Sequence, residues 1–190
     1  MNGKLLRVAA RGAKEAGAEV SVVCLLDYPL PIYDGDWEAE HGLPEAARTL
    51  QTLVSEHHGL LIASPEHNGG YSALLKNAID WISRDDEADP TLRDVFAGKT
   101  AALVSASPNA IGGWRSQFAL EMVLRRLDVR VLPISYALAA ADHAFDADGN
   151  LLAAANETAV KNVGVTLVNM TSVPVTGLAR PTYRTRRSRL

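Results

Sequence analysis

The feature that most restricts this chain is an alternation. Short runs of Val, Leu and Ala, too brief for helices, are separated by longer segments whose apolar residues return every three or four positions. The runs at residues 19–26, 59–63, 99–105 and 129–134 read as strands buried on both faces. Between them, Leu5, Val8, Ala9, Gly12 and Ala16 share one face of a helix ending near Gly17, and Ala46, Leu50, Leu53 and Val54 share another, opened by Pro44. Leu75, Ala78, Ile79 and Ile82 mark a third; Leu120, Val123, Leu124 and Leu127 a fourth; Val160, Val163, Gly164 and Leu167 the last. Strands separated by single helices imply right-handed crossovers, hence an α/β fold with a parallel sheet covered on both sides. Residues 27–36, with Pro29, Pro31 and Gly35, read as a loop, residues 84–96 as irregular and residues 146–150 as a polar turn.

Composition narrows the function classes. With 190 residues the chain suits one domain. No apolar run reaches the length of a membrane span, and charges interrupt the first 18 residues where a secretory signal would be apolar. Cytoplasmic residence is the expectation. The lone cysteine, Cys24, sits in an apolar run and is expected to be a buried thiol. Five arginines (Arg180, Arg184, Arg186, Arg187, Arg189) crowd the last eleven residues; removing them from 19 basic residues leaves 14 against 22 acidic ones, about −8. A body so charged repels polyanions, which argues against nucleic-acid binding. Residues 1–175 are read as the domain and residues 176–190 as an Arg-rich, disordered tail.

Ligands of an open parallel sheet bind at the carboxyl ends of its strands. Two segments there are unusual: Ser64-Pro65-Glu66-His67-Asn68-Gly69-Gly70-Tyr71, and Ser105-Ala106-Ser107-Pro108-Asn109-Ala110-Ile111-Gly112-Gly113. Each combines glycine with small polar groups and free amides, which suits a flat heteroaromatic ring, although either alone also suits a tight strand-to-helix turn. Other motifs fail. Gly98-Lys99-Thr100 imitates the end of a phosphate-binding loop, but Arg93 stands where its first glycine belongs and a strand follows. His57 and His58 diverge by about 100° on a helix and cannot share a metal. No Gly-x-Ser-x-Gly elbow occurs, and Asp146-x-Asp148-Gly149-Asn150 lacks the remaining ligands of a calcium loop.

Pro65-Glu66-His67-Asn68, followed six residues later by Leu75-Lys76-Asn77-Ala78-Ile79-Asp80-Trp81-Ile82-Ser83, resembles the signature of NADPH-dependent FMN reductases and their chromate- and quinone-reducing relatives. Pro29-Leu30-Pro31-Ile32-Tyr33 resembles the family's loop after its second strand, and Ser107 through Gly112-Gly113 with Arg115 and Gln117 its loop after the fourth. The resemblance covers roughly residues 2–170. It implies a flavodoxin-like three-layer α/β/α fold of strand order 2-1-3-4-5, an FMN on the carboxyl edge, and hydride transfer from NADPH or NADH to FMN and on to a free flavin, quinone or metal oxyanion. It implies no side-chain acid, base or nucleophile, and no metal site. The residues it assigns to the cofactor are Asn2, Pro65, Glu66, His67, Asn68, Gly69, Ser107, Asn109, Gly112 and Arg115, with Arg115 directed to the flavin or to a neighbouring subunit's substrate. Homodimers or homotetramers are implied; the helix carrying Trp81 reads equally as interface or as core. A flavodoxin-like carrier or interaction module without flavin is the alternative.

Three departures from the family pattern stand out. His67 replaces its usual tyrosine and Asn109 a frequent glycine. The family also opens with a strand and a Gly-Ser-x-Arg-x-x-Ser-x-Asn phosphate loop, of which only Asn2 is matched. This predicts that translation starts upstream or that the chain is a fragment. Residues 19–26 must then pair directly with residues 59–63 or leave backbone groups unpaired at about 1 to 3 kcal/mol each. FMN affinity, short of about three charge-assisted hydrogen bonds, is expected to fall at least a thousandfold.

Overall fold

A computed structural model describes residues 1–86 and 89–171; the Arg-rich tail at residues 176–190 lies outside them. Helix α1 spans Asn2–Glu15 and buries Leu5, Val8, Ala9 and Ala13. It stops because Gly17 adopts φ +92°, letting the amides of Gly17 and Ala18 turn back onto the carbonyls of Lys14 and Ala13. Helices α2 (Gly35–His41) and α3 (Glu45–Glu56) lead to strand β1 (Gly59–Ala63), then α4 (Ala73–Ile82), β2 (Thr100–Ala106), α5 (Trp114–Arg126), β3 (Arg130–Leu138) and α6 (Ala154–Thr171). The strands are parallel in the order β1-β2-β3.

Strand β2 is wholly buried, as the centre of such a sheet must be. Its side chains alternate between two cores. Ala102, Val104 and Ala106 join Leu5, Val8, Val160, Val163 and Leu167 on the α1–α6 side, while Ala101 and Leu103 join Leu50, Ile79, Phe96, Leu120 and Leu124 under α3, α4 and α5. This is the three-layer arrangement expected. Helices α1 and α6 cross where both are reduced to glycine: a Cβ on Gly12 would stand 2.2 Å from the Lys161 carbonyl oxygen, and one on Gly164 would stand 2.0 Å from that of Ala9.

Three expectations are corrected. Residues 19–26 form no strand: they run as chain outside the sheet into a single 3-10 turn at Leu25–Asp27. The sequence offers them no neighbouring strand, and among the described residues β1 pairs only with β2. Cys24 is consequently exposed rather than buried. The loop expected at residues 27–36 ends at Asp34, whose carboxylate accepts hydrogen bonds from the amides of Asp36 and Trp37 and so caps α2. That helix lays Trp37 edge-on against Trp81 at 5.5 Å, and Trp81 is fully buried.

Two local devices hold the frame. In the 146–150 turn the Asp146 carboxylate accepts from the Asn150 amide at 2.8 Å, a hydrogen bond that holds its pKa below the usual carboxylate value. Strand β3 runs beyond its predicted end, to Leu138, because a register shift opposite Ala101 and Leu103 lets it bulge past Pro133 and resume pairing.

Candidate functional site

The loops after β1 and β2 meet at the carboxyl edge. In the first, His67 and Gly70 exchange both backbone hydrogen bonds at 2.9 Å, with Asn68 at φ 52° and Gly69 at φ 80° between them. Two successive positive φ values make a type I′ turn, which Asn-Gly adopts more readily than other pairs. The turn projects outward: a Cβ on Gly69 would meet nothing within 4 Å. Among the described residues, the amides of Glu66, Asn68 and Gly69 donate to no protein acceptor. A row of unspent donors beside open space fits a ring edge that carries carbonyl oxygens, as a flavin's pyrimidine edge does.

The second loop is tied more closely to the sheet. Ser107 donates its amide to Leu138 and its hydroxyl oxygen accepts weakly from the Asn109 amide; Asn109 in turn accepts from Ile111 at 3.2 Å. Gly112, at φ +61°, lies against β3 so closely that a Cβ would come within 2.6 Å of the Ala137 carbonyl carbon. Its missing side chain therefore serves the backbone. Below it, Ser105 donates to the Gly112 carbonyl at 2.8 Å, so its oxygen is left to accept from Gln117 at 2.7 Å. Gln117 also donates to the Tyr136 carbonyl, tying β2, β3 and α5 into one support for the loop.

The loops touch through Glu66 and Arg115. One carboxylate oxygen of Glu66 accepts from Arg115 Nε at 2.8 Å and Nη2 at 2.5 Å, while the other is buried without a partner among the described residues. The Glu66 side chain is 3% exposed and that of Arg115 is 61% exposed. Beside the pair, Gly113 adopts φ +85°; a Cβ there would crowd Ser105 at 3.1 Å, whereas Glu66, at 3.6 Å, lies at ordinary contact distance. Of the residues singled out in the sequence, Pro65, Glu66, His67, Asn68 and Gly69 thus lie on one loop, Ser107 and Asn109 on the other, and Arg115 in the first turn of α5. Asn2 reaches the same edge, but its carboxamide is engaged with both the amide and the carbonyl of Ala106, at 2.9 and 3.0 Å.

Sequence reasoning misses what the Leu-Lys-Asn-Ala-Ile-Asp-Trp run does. Asn77 and Trp81 both donate to the Pro31 carbonyl, at 2.8 and 2.7 Å, and Asn77 accepts from the Tyr33 amide at 2.8 Å. Helix α4 thereby clasps the loop of residues 29–33, which borders an apolar hollow of about 460 Å³ lined by Leu25, Leu26, Tyr28, Leu30 and Leu74. The four-residue spacing of Asn77 and Trp81 is the one sequence signal that could have suggested it. Among the described residues no group of three metal-ligating side chains forms, and no helix is long and apolar enough to cross a membrane.

Comparison with known proteins agrees with this geometry. The family model described as NADPH-dependent FMN reductase matches residues 1–144. An NAD(P)H-dependent FMN reductase of Pseudomonas aeruginosa is 38% identical over 124 residues, 65% of this chain and 63% of that protein. A 2-hydroxy-1,4-benzoquinone reductase of a Burkholderia species is 34% identical over 125 residues, 65% of this chain and 64% of that protein. An NADPH:quinone oxidoreductase of Arabidopsis thaliana is 32% identical over 166 residues, 86% of this chain and 81% of that protein. The chain therefore spans slightly less than two thirds of the two bacterial relatives. Among solved structures, the flavoenzyme NAD(P)H:(acceptor) oxidoreductase FerB of Paracoccus denitrificans superposes with a TM-score of 0.72 at 25% identity, over 90% of this chain and 91% of that one.

Proposed function

The chain belongs to the NADPH-dependent FMN reductase family, and from that premise we propose that it carries FMN and moves two electrons from NAD(P)H to a small acceptor of the quinone class. In the net reaction NAD(P)H gives up a hydride, and the quinone gains two electrons and two protons, the second from water, to become the hydroquinone. FMN, when bound, supplies the acceptor and donor of that hydride; the protein orients rings and excludes competing reactions. The amides of Glu66, Asn68 and Gly69 would hold the ring's polar edge. Ser107 and Asn109 would border its other side, and the N-terminal turn of α1 is nearest in kind to a phosphate seat.

The observation that carries this reading is the meeting of the two loops with unspent amides between them. Its test is a visible spectrum. Protein mixed with FMN and desalted should be yellow, bleach with NADPH under anaerobic conditions and recover on addition of 1,4-benzoquinone. Protein that stays colourless and leaves the fluorescence of added FMN unquenched would refute it. That outcome would favour the alternative, an interaction module without flavin. One observation leans that way: in the first turn of α1 the Asn2 carboxamide is committed to Ala106 and the Lys4 ammonium contacts the Asp146 carbonyl.

Free flavin and metal oxyanions are extensions of the acceptor class, residues 1–175 are taken as the catalytic domain, and the cytoplasm as its compartment. Trp114, Phe118 and Met122, all exposed and spaced along one face of α5, with exposed Ile111 in the turn before it, support a homodimer or homotetramer built on that helix. A strand and phosphate loop upstream of Met1 would complete the sheet, a suggestion supported by the open outer side of β1.

A further inference from the structure

Glycine follows an asparagine or an aspartate at four places in this chain: Asn2-Gly3, Asp34-Gly35, Asn68-Gly69 and Asp148-Gly149. Such pairs carry a latent reaction, because the backbone nitrogen after the side chain can attack its Cγ and close a five-membered imide, and glycine hinders that nitrogen least. Attack needs a side chain free to turn, an amide hydrogen not already donated, and a backbone that can bring the two together. Three of the four pairs fail. The Asn2 carboxamide is held by both backbone groups of Ala106, at 2.9 and 3.0 Å, in the first turn of α1. The Asp34 carboxylate accepts from the amides of Asp36 and Trp37, and the Gly149 amide donates to the Asp146 carbonyl. At Asn68-Gly69 neither partner is held. Asn68 is exposed and, among the described residues, its carboxamide makes no hydrogen bond and the Gly69 amide donates to no protein acceptor.

We propose that Asn68 is a site of spontaneous covalent modification, where the Gly69 nitrogen displaces ammonia and the side-chain amide becomes a carboxylate. The turn meets the remaining requirement. Asn68 and Gly69 are the central residues of the type I′ turn, at φ 52° and 80°. Flipping the peptide between them converts it to type II′, whose first central residue stands at about φ +60° and about ψ −120°. At that ψ the Gly69 nitrogen eclipses the Asn68 Cβ, so the ring can close. The flip leaves both His67–Gly70 hydrogen bonds in place and moves through open space, since a Cβ on Gly69 would meet nothing within 4 Å. In the first step the Gly69 nitrogen loses its proton and bonds to Cγ; the Cγ–Nδ2 bond breaks, and the nitrogen leaves as ammonia with that proton. Water then opens the imide, at Cγ to give aspartate or at the backbone carbonyl to give isoaspartate, whose main chain is one carbon longer. Asparagine and water become a carboxylate and ammonium, with no change of oxidation state. Where the functional reading above holds, either product sets a negative charge among the amides that face the ring's carbonyl edge, so protein without flavin spoils its own seat with age.

The experiment incubates the full chain without flavin at mildly alkaline pH in water enriched in heavy oxygen. Peptides carrying Asn68 and Asn2 are followed by mass and by enzymatic methylation of isoaspartate. Position 68 should gain one heavy oxygen, accumulate isoaspartate and convert about thirtyfold faster than position 2, where two ordinary hydrogen bonds must open first. In urea both pairs are released, and the two rates should converge. Asn68→Gln should show no conversion at that position. A folded chain in which position 68 converts no faster than position 2 refutes the proposal. FMN at about a hundred times its Kd should slow position 68 about a hundredfold, because only unoccupied protein reacts. Conversion that FMN leaves undiminished sustains the modification and refutes the placing of the ring on these amides.

Discussion

Replacing Gly164 with alanine sets two effects of opposite sign against each other. Alanine is favoured over glycine in a helix interior by about 1 kcal/mol, so on propensity alone the variant is more stable. The crossing of α1 and α6 says otherwise. The new Cβ would stand 2.0 Å from the Ala9 carbonyl oxygen and 2.8 Å from the Ala13 amide nitrogen, where ordinary contact begins near 3.4 Å. Both obstacles are backbone, so no side chain can swing away; the helices must part by about 1.4 Å, the difference between 3.4 and 2.0 Å. A gap of that size forfeits much of the dispersion between Leu5, Val8, Val160 and Val163. Overpacking of this kind costs about 3 kcal/mol at the upper end of its usual range, leaving a net loss of about 2 kcal/mol after the propensity gain. For a domain of this size that lowers Tm by about 4–8 °C. Circular dichroism during heating and urea titration measures it. A variant melting at or above the wild-type temperature would show that the helices are not seated as described.

Three further outcomes are expected. Gly112→Ala forces a Cβ onto the Ala137 carbonyl carbon at 2.6 Å and strains a φ of +61°, so it should destabilise by about 2 kcal/mol and weaken FMN binding, read by fluorescence quenching. Asn77→Ala removes the hydrogen bonds to Pro31 and Tyr33; proteolysis should quicken within residues 29–33, and urea titration should show a loss of about 2 kcal/mol, whereas an unchanged cleavage rate would refute the clasp. The pKa of Asp146 is depressed by hydrogen bonds from Asn150, so its contribution is present above the usual carboxylate range and disappears as pH falls through the lower folded value. Asp146→Ala should accordingly melt below wild type at pH 7, with the difference closing as the solution is taken well below pH 4; a constant difference would contradict the linkage.

How much of this was readable beforehand follows physical lines. The helical faces and the strands β1, β2 and β3 are legible because burial imposes periods of 3.6 and runs of Val and Leu, and β2 shows such a run in its purest form. Residues 19–26 share the same composition, yet composition describes the strand they would make and not the neighbour they need. Helix α2 is too short to establish a period, and only the Asp34 cap announces it. In the site, strand-to-helix loops are legible by position. Contacts made across sequence are not: nothing in the chain signals that Glu66 meets Arg115, that Ser105 leans on Gln117, or that Gly12 and Gly164 face opposite helices.

The alternation of a parallel ladder gives the open side of β1 a practical meaning. Thr100 donates to the His58 carbonyl and Ser64 donates to that of Val104, so Leu60 and Ile62 face β2, while the amides of Leu61 and Ala63 point the other way. In deuterium oxide, those two amides should lose their protons long before the interior amides of β2 do, although they belong to the same sheet. The same row of groups is a template on which any extended apolar segment can grow, so concentrated samples are prone to associate side to side. Storage conditions for this chain are therefore decided at residues 59–63, some distance from the face where its chemistry is expected.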